Sequence, residues 1–135
     1  MIKYRKFYVT LLAAALCVAM AVPAFAVSFS KKTDHYGTLT GDSHKYQNYL
    51  YTTTAVTSNP YNGTLHTFIE FSDGVDSIFG EKHYQSAVGA TSLNNNTLIM
   101  QRIDGTYPAK YAFTTHEIRG GSEDGDYHSM TLGIK

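Results

Sequence analysis

The chain has no tryptophan, three prolines and a single cysteine, Cys17. One cysteine cannot close an intramolecular disulfide, so the stapled frameworks of small cysteine-rich domains are excluded and stability must come from packing and strand pairing. Charge is scarce too: 16% of residues are Asp, Glu, Lys or Arg, eleven of each sign. So sparse and balanced a distribution argues against nucleic acid or an anionic membrane as partner, because both need a clustered positive field. Long apolar runs are missing except over residues 9–22, roughly 14 residues, short of the ~20 that a membrane-spanning helix requires.

What flanks that run gives it a meaning. Lys3, Arg5 and Lys6 precede it, Pro23 breaks it, and Ala24-Phe25-Ala26 supplies a small-x-small site. This is the layout of a secretory signal peptide over residues 1–26, cleaved after Ala26. Cys17 falls inside it and follows Leu16, where a lipid-attachment signal wants Gly, Ala or Ser. The expected product is therefore secreted, either extracellular or loosely associated with the envelope, with no transmembrane segment and no cysteine. Residues 27–135 leave 109 positions, enough for a single domain. Losing Lys3, Arg5 and Lys6 sets eight basic residues against eleven acidic ones, a net charge of −3 with histidine neutral. That balance again speaks against nucleic acid as a partner.

After residue 27 the 3.6-residue rhythm of an amphipathic helix is absent, and short runs rich in Thr, Tyr, Val, Ile and Phe alternate with Gly, Asn, Asp and Pro. The pattern predicts an all-β chain, a small antiparallel β-sandwich of about seven strands, with a partly closed β-barrel as the alternative. A first run over 36–40 ends in a turn at Gly41-Asp42. A longer one covers 45–57, where Tyr49, Tyr51, Thr53 and Ala55 alternate with Leu50, Thr52, Thr54 and Val56, and either set suits the interior. Asn59-Pro60-Tyr61-Asn62-Gly63 predicts a hairpin connection, since proline fixes φ and Asn-Gly tolerates positive φ. Leu65, Thr67, Ile69 and Phe71 share one face of the next strand and are expected to face the core.

Residues 75–82 read as a short strand or an irregular crossover, and 83–91 as a strand with Tyr84, Ser86, Val88 and Ala90 on one face. Asn94-Asn95-Asn96 reads as a turn, followed by a central apolar strand over 97–103, too hydrophobic for an open edge. The last two strands, 109–118 and 127–134, put Tyr111 and Phe113 on an inner face and align His128, Met130, Leu132 and Ile134.

Few motifs carry chemistry. Gly41-Asp42-Ser43-His44 is similar over three residues to the nucleophile block of the GDSL esterases, but those are larger α/β enzymes and no helices are foreseen here; an ordinary turn accounts for the residues. Gly120-Gly121-Ser122-Glu123-Asp124 lacks the final glycine of a nucleophile elbow and also reads as a turn. Six histidines lie beyond the signal, with neither His-x-His nor His-Glu-x-x-His spacing. The candidate metal set is His116 and His128, which meet if the last two strands form a hairpin, with Glu123, Asp124 and Asp126, hard oxygen donors clustered between them. The candidate ligand-binding set is Tyr46, Tyr49 and Tyr51. Tyrosine joins a flat apolar ring to a polar tip, so a row of them on one sheet face can stack on sugar rings or on a protein partner. The competing explanation is that tyrosines are strand formers filling cross-strand pairs. Exposure of Tyr49 and Tyr51 discriminates between the two.

Tyr36-Gly37-Thr38-Leu39, Thr57-Ser58-Asn59-Pro60, and His116 followed by Arg119-Gly120-Gly121-Ser122 give the chain a resemblance to small exported β-rich proteins of Gram-positive bacteria. In being small, exported and rich in Tyr, Ser and His it also resembles the lactococcin 972-type bacteriocins, which would imply a secreted toxin. Neither resemblance supplies site residues. The combined expectation is a bacterial, non-catalytic binding or interaction protein acting at or outside the cell surface, with an envelope, glycan or protein partner and no cofactor. A bacteriocin-like toxin and a small secreted hydrolase are the alternatives.

Overall fold

The computed structural model describes residues 26–73, 77–99 and 109–134. Residues 1–25 of the signal peptide expected over 1–26, part of the ambiguous 75–82 stretch, and most of the strand and turn expected over 97–108 lie outside the described residues. Among those described, the fold is all β, without helix: β1 (Ala26–Lys32), β2 (Thr38–Tyr46), β3 (Tyr49–Val56), β4 (Thr64–Ser72), β5 (Ser77–Gln85), β6 (Ser92–Leu98), β7 (Tyr111–Arg119) and β8 (Asp126–Gly133). They form two antiparallel four-stranded sheets, ordered β1-β2-β3-β6 and β5-β4-β7-β8, which face each other as a sandwich and do not close into a barrel. We refer to them as the first and second sheet.

Side-chain alternation decides which residues enter the space between the sheets. On β4, Leu65, Thr67, Ile69 and Phe71 are all fully buried, as their spacing predicts. On β3 the inner set is Leu50, Thr52, Thr54 and Val56, so Tyr49 and Tyr51 stand outside. The apolar residues gather in two clusters. One holds Leu50, Ile69, Phe71, Ala112, Leu132 and Ile134 with Ala109; the other holds Tyr36, Leu39, Val56, Leu65 and Ile118. Each fully buried Leu, Ile or Phe side chain contributes about 1.5–3 kcal/mol relative to exposure.

Several local expectations are corrected. Gly41-Asp42-Ser43-His44 is not a turn; it lies inside β2. Gly41 is needed there because a Cβ would come within 2.7 Å of the His116 ring and closer still to the ring of Phe29. The chain reverses instead at Gln47-Asn48, between the paired Tyr46 and Tyr49, with Gln47 at φ 53. The 59–63 segment is no hairpin: it carries the chain from β3 in the first sheet to β4 in the second. The Asn59 amide organises that arch, donating to Gly63 O at 2.9 Å and Ala90 O at 2.8 Å and accepting from Gly63 N at 2.8 Å.

Asn94-Asn95-Asn96 is likewise not a turn but the middle of β6, held against Thr53, Thr52 and Tyr51 of β3. β6 is the outer strand of its sheet among the described residues, and Leu98 at its end is 55% exposed, so this part of the expected central strand sits at an edge. Strand structure after His83 ends at Gln85, leaving Val88 in the following loop and exposed. Tyr111 and Phe113 are on the outer face, 42% and 43% exposed. The register of β7 against β4 pairs Leu65 with Ile118 and Thr67 with His116, so Ala112, Thr114, His116 and Ile118 point inward.

One flank of the sandwich is drawn together where β1 meets β8. Lys31 of β1 forms an ion pair with Asp126 of β8 and donates to Tyr127 O at 3.3 Å. Phe29 lies 4.4 Å, centroid to centroid, from the ring of His128. On the other flank Tyr84 of β5 and Thr97 of β6 join their hydroxyls at 2.6 Å.

Candidate functional site

The turn at Gln47-Asn48 brings the three candidate tyrosines onto the outer face of the first sheet. Tyr46 and Tyr49 are cross-strand partners, 61% and 40% exposed. Tyr51, two residues along β3, is half-buried because its ring stacks on His44, its cross-strand partner, at 5.3 Å and 10°. The Tyr49 and Tyr51 rings lie 6.4 Å apart. His44 is held from its other side by a contact of 2.9 Å between Nδ1 and Asp42 Oδ1. The third strand of this face, β6, sets Leu98 opposite Tyr49, Asn96 opposite Tyr51 and Asn94 opposite Thr53, whose hydroxyl donates to Asn94 Oδ1 at 2.8 Å. The result is an aromatic strip of four rings at one end of a sheet face, beside amides and hydroxyls. Ring faces of this kind take apolar C–H surface, and the amides and hydroxyls take polar groups.

The candidate metal residues fare differently. His116 and His128 are direct cross-strand partners on β7 and β8, as the hairpin reading required. The acids do not join them. Glu123 sits 3.6 Å from His35, Asp126 is paired with Lys31, and Asp124 is exposed in the β7–β8 connection. Burial alone would raise the Asp126 carboxyl; hydrogen bonds from Lys31 and the Tyr127 backbone outweigh it and hold the group below its ordinary value. Among the described residues no three His, Cys, Asp or Glu side chains converge in a way that could hold a metal ion.

His116 belongs instead to an arrangement that the sequence did not reveal. Between the two apolar clusters runs a belt of buried polar side chains: Ser43, Thr52, Thr54, Thr67, Thr114 and His116, each at most 2% exposed. Nδ1 of His116 meets Thr54 Oγ1 at 2.6 Å, and Thr54 meets Thr67 at 2.7 Å. Nε2 faces Ser43 Oγ at 3.3 Å and Thr114 Oγ1 at 3.2 Å, and these two hydroxyls are 3.1 Å apart. Hydroxyls donate or accept as needed, so they accommodate a neutral imidazole in either tautomer. Burial disfavours the charged form and His128 opposes it too; the field of Asp42 and a backbone contact from Thr53 offset only part, and the pKa is held down to about 4. The available signal was thin: Thr52 and Thr54 at alternate positions of a strand whose inner face was open, and Thr67 on an inner face, which strand propensity alone explained; Thr114 and His116 fell on the face opposite the one expected to be inner.

This belt also brings Ser43 and a histidine together, the pairing that the esterase-like tetrapeptide required. Both side chains are fully buried, and the second imidazole nitrogen meets a threonine hydroxyl rather than a carboxylate. A nucleophile–base pair needs substrate access and an orienting group, and this geometry gives neither at Ser43. Ser122 lies in the β7–β8 connection, where its backbone N–H donates to Tyr61 O at 3.1 Å.

The outer face of the second sheet carries a separate stack. His83 lies parallel to Phe68 at 4.3 Å, Arg119 stands 5.5 Å from the Phe68 ring, and His66 Nδ1 meets His83 Nε2 at 2.9 Å. Burial, Arg119 and His83 together lower the pKa of His66. One ring nitrogen of the pair donates its N–H and the other accepts with its lone pair.

Comparison with protein-family models, with curated proteins and with solved structures finds no match to this chain.

Proposed function

We propose that the chain is an exported, non-catalytic binding module of bacterial origin, acting at or outside the cell surface, and that the outer face of its first sheet engages an envelope glycan. The observation that carries this reading is the aromatic strip of Tyr46, Tyr49, Tyr51 and His44, in which Tyr46, Tyr49 and His44 are exposed and Tyr51 half-buried. Tyr46 and Tyr49 pair across the strands, yet both stay exposed, at 61% and 40%, so the pairing leaves ring surface open to a ligand. The neighbouring groups, Thr53, Asn94 and Asn96, are uncharged donors and acceptors suited to sugar hydroxyls, while the rings suit the C–H faces of pyranoses. The signal-peptide layout of residues 1–26 supports a module exported to where envelope polysaccharides are found.

The test is sedimentation of the purified protein with isolated peptidoglycan and with insoluble polysaccharides, alongside viability counts on producer and neighbouring cells. Saturable binding to one polymer, weakened at least about tenfold by Tyr49→Ala with Tyr51→Ala, is the expected result. Binding that is indifferent to both substitutions, or no binding to any polymer, overturns the proposal. Killing of neighbouring cells replaces it with the bacteriocin reading.

A further inference from the structure

The inward-facing residues of the first sheet at the level of the polar belt form one row across three strands. Ser43 of β2 is the register partner of Thr52 on β3, and Thr52 is the partner of Asn95 on β6. Ser43 is hydrogen-bonded to Thr114 and His116 of the facing sheet. The other two are not so placed. Thr52 Oγ1 and Asn95 Nδ2 are both buried and, among the described residues, have no hydrogen-bond partner. Thr52 is 2% exposed. Two orphaned polar atoms on directly opposite residues of adjacent strands are a different observation from two scattered ones. They share one space, and a sound fold leaves very few such atoms unpaired.

Three ways exist to relieve them. They could bond each other, but in the structure they do not. They could be replaced by apolar side chains, but the sequence keeps Thr and Asn here. Or a third party with its own donors and acceptors bridges them. The bridging group has to accept from the Asn95 amide N–H, exchange a hydrogen bond with the Thr52 hydroxyl, and be small enough to lie between side chains about 4.5–5.5 Å apart at Cβ. Water meets all three conditions, and bridging buried polar groups is its ordinary role in protein interiors. The surroundings favour a long residence. The adjoining inner position of β6 is Thr97, locked to Tyr84 of β5 by the hydroxyl contact at 2.6 Å, and the adjoining inner position of β3 is Thr54, locked to His116 at 2.6 Å. The two locks sit on either side of the row.

We infer that Thr52 and Asn95 form a buried hydration site: a structural water extending the polar belt from Ser43 and His116 to the edge strand β6, where it substitutes for the missing side-chain pairing. The site explains why an asparagine stands on an inward position of a strand. It also makes the seating of β6 on β3 dependent on a bound water.

Magnetic relaxation dispersion of water oxygen-17 on the purified protein counts internal waters with residence times longer than molecular tumbling. The wild type is expected to show such a water, with the signal reduced by one in Thr52→Val, which keeps the side-chain shape and removes the hydroxyl, and retained in Thr52→Ser. Asn95→Leu is expected to remove it as well, and near-ultraviolet circular dichroism verifies that each variant is folded. A wild type without long-lived internal water, or a signal unchanged in both Thr52→Val and Asn95→Leu, overturns the inference. If Thr52→Val fails to fold, Asn95→Leu on the edge strand decides alone.

Discussion

Acidification should weaken this fold chiefly through one side chain, because His116 is sealed in the belt as a neutral imidazole. Its pKa falls from 6.5 to about 4 on folding. In the unfolded chain it binds a proton as the pH passes below 6.5; in the fold it refuses that proton until about 4. Between these values the unfolded state holds more protons, so stability increases with pH. The contribution is fully present above 6.5, is lost progressively as the pH falls toward 4, and changes little further below. At 1.36 kcal/mol for each pKa unit, the loss comes to about 3 kcal/mol, a substantial part of the ~5–15 kcal/mol typical of a domain. Urea unfolding at a series of pH values between 7 and 4 measures it. With a urea slope of about 1–3 kcal/mol per molar for a small protein, the midpoint should fall by roughly 1–3 M.

His116→Gln supplies the control: it keeps hydrogen-bonding capacity but does not titrate, so it should be less stable at pH 7 and much flatter in its pH dependence. Two other groups bear on the window. His66, also lowered by burial, Arg119 and His83, acts with the same sign below pH 6.5 and leaves a residual slope, which His66→Gln identifies. Asp126, held below 3.8, contributes stability that is present above that value and is lost only as the pH falls through its lower folded value, outside the window. A wild-type midpoint that stays constant from pH 7 to 4, or a His116→Gln variant with the wild-type slope, would refute the reasoning.

Two further predictions address packing and charge. Gly41→Ala should destabilise by about 1–3 kcal/mol, the usual cost of forcing atoms into a filled core, because the new methyl meets both Phe29 and His116; thermal unfolding reads the effect, and an unchanged midpoint would show that the two rings yield freely. Lys31→Met should cost no more than about 1 kcal/mol, since its ion pair with Asp126 is partly exposed. Comparison of wild type and variant across a salt series checks this, with the difference expected to shrink as ionic strength rises.

The all-β class follows from local patterning, while the choice of a sandwich over a partly closed barrel was made by the pairing of the strands into two separate sheets. Leu65, Thr67, Ile69 and Phe71 alternate strictly, and a strand with that period has only one way to bury its apolar side. His116 and His128 met for a similarly local reason, the antiparallel pairing of two consecutive strands. The tyrosine strip was half legible. Its residues were visible as a cluster, but 45–57 offered two equivalent faces, and only the packing of Leu50, Thr52, Thr54 and Val56 between the sheets sent Tyr49 and Tyr51 outward.

What the sequence by itself determined is therefore period and composition: strands without helices, no intramolecular disulfide, and a chain held by packing. What tertiary structure decided is every feature that depends on two segments far apart in the chain. Gly41-Asp42 has the composition of a turn, yet it runs through β2 because Phe29 and His116 need the space that a glycine leaves. Asn94-Asn95-Asn96 has turn composition as well, yet pairing with β3 satisfies its backbone and keeps it extended. Tyr111 and Phe113 are apolar enough for a core, yet the register against β4 gives the inner positions to Ala112, Thr114, His116 and Ile118. The polar belt is the clearest case. Each of its residues is unremarkable on its own strand, and only the facing of the two sheets turns isolated threonines, a serine and a histidine into one hydrogen-bonded layer. Hydrogen bonds between sheets depend on register and on sheet-to-sheet placement, and neither is written in the local pattern of any one strand.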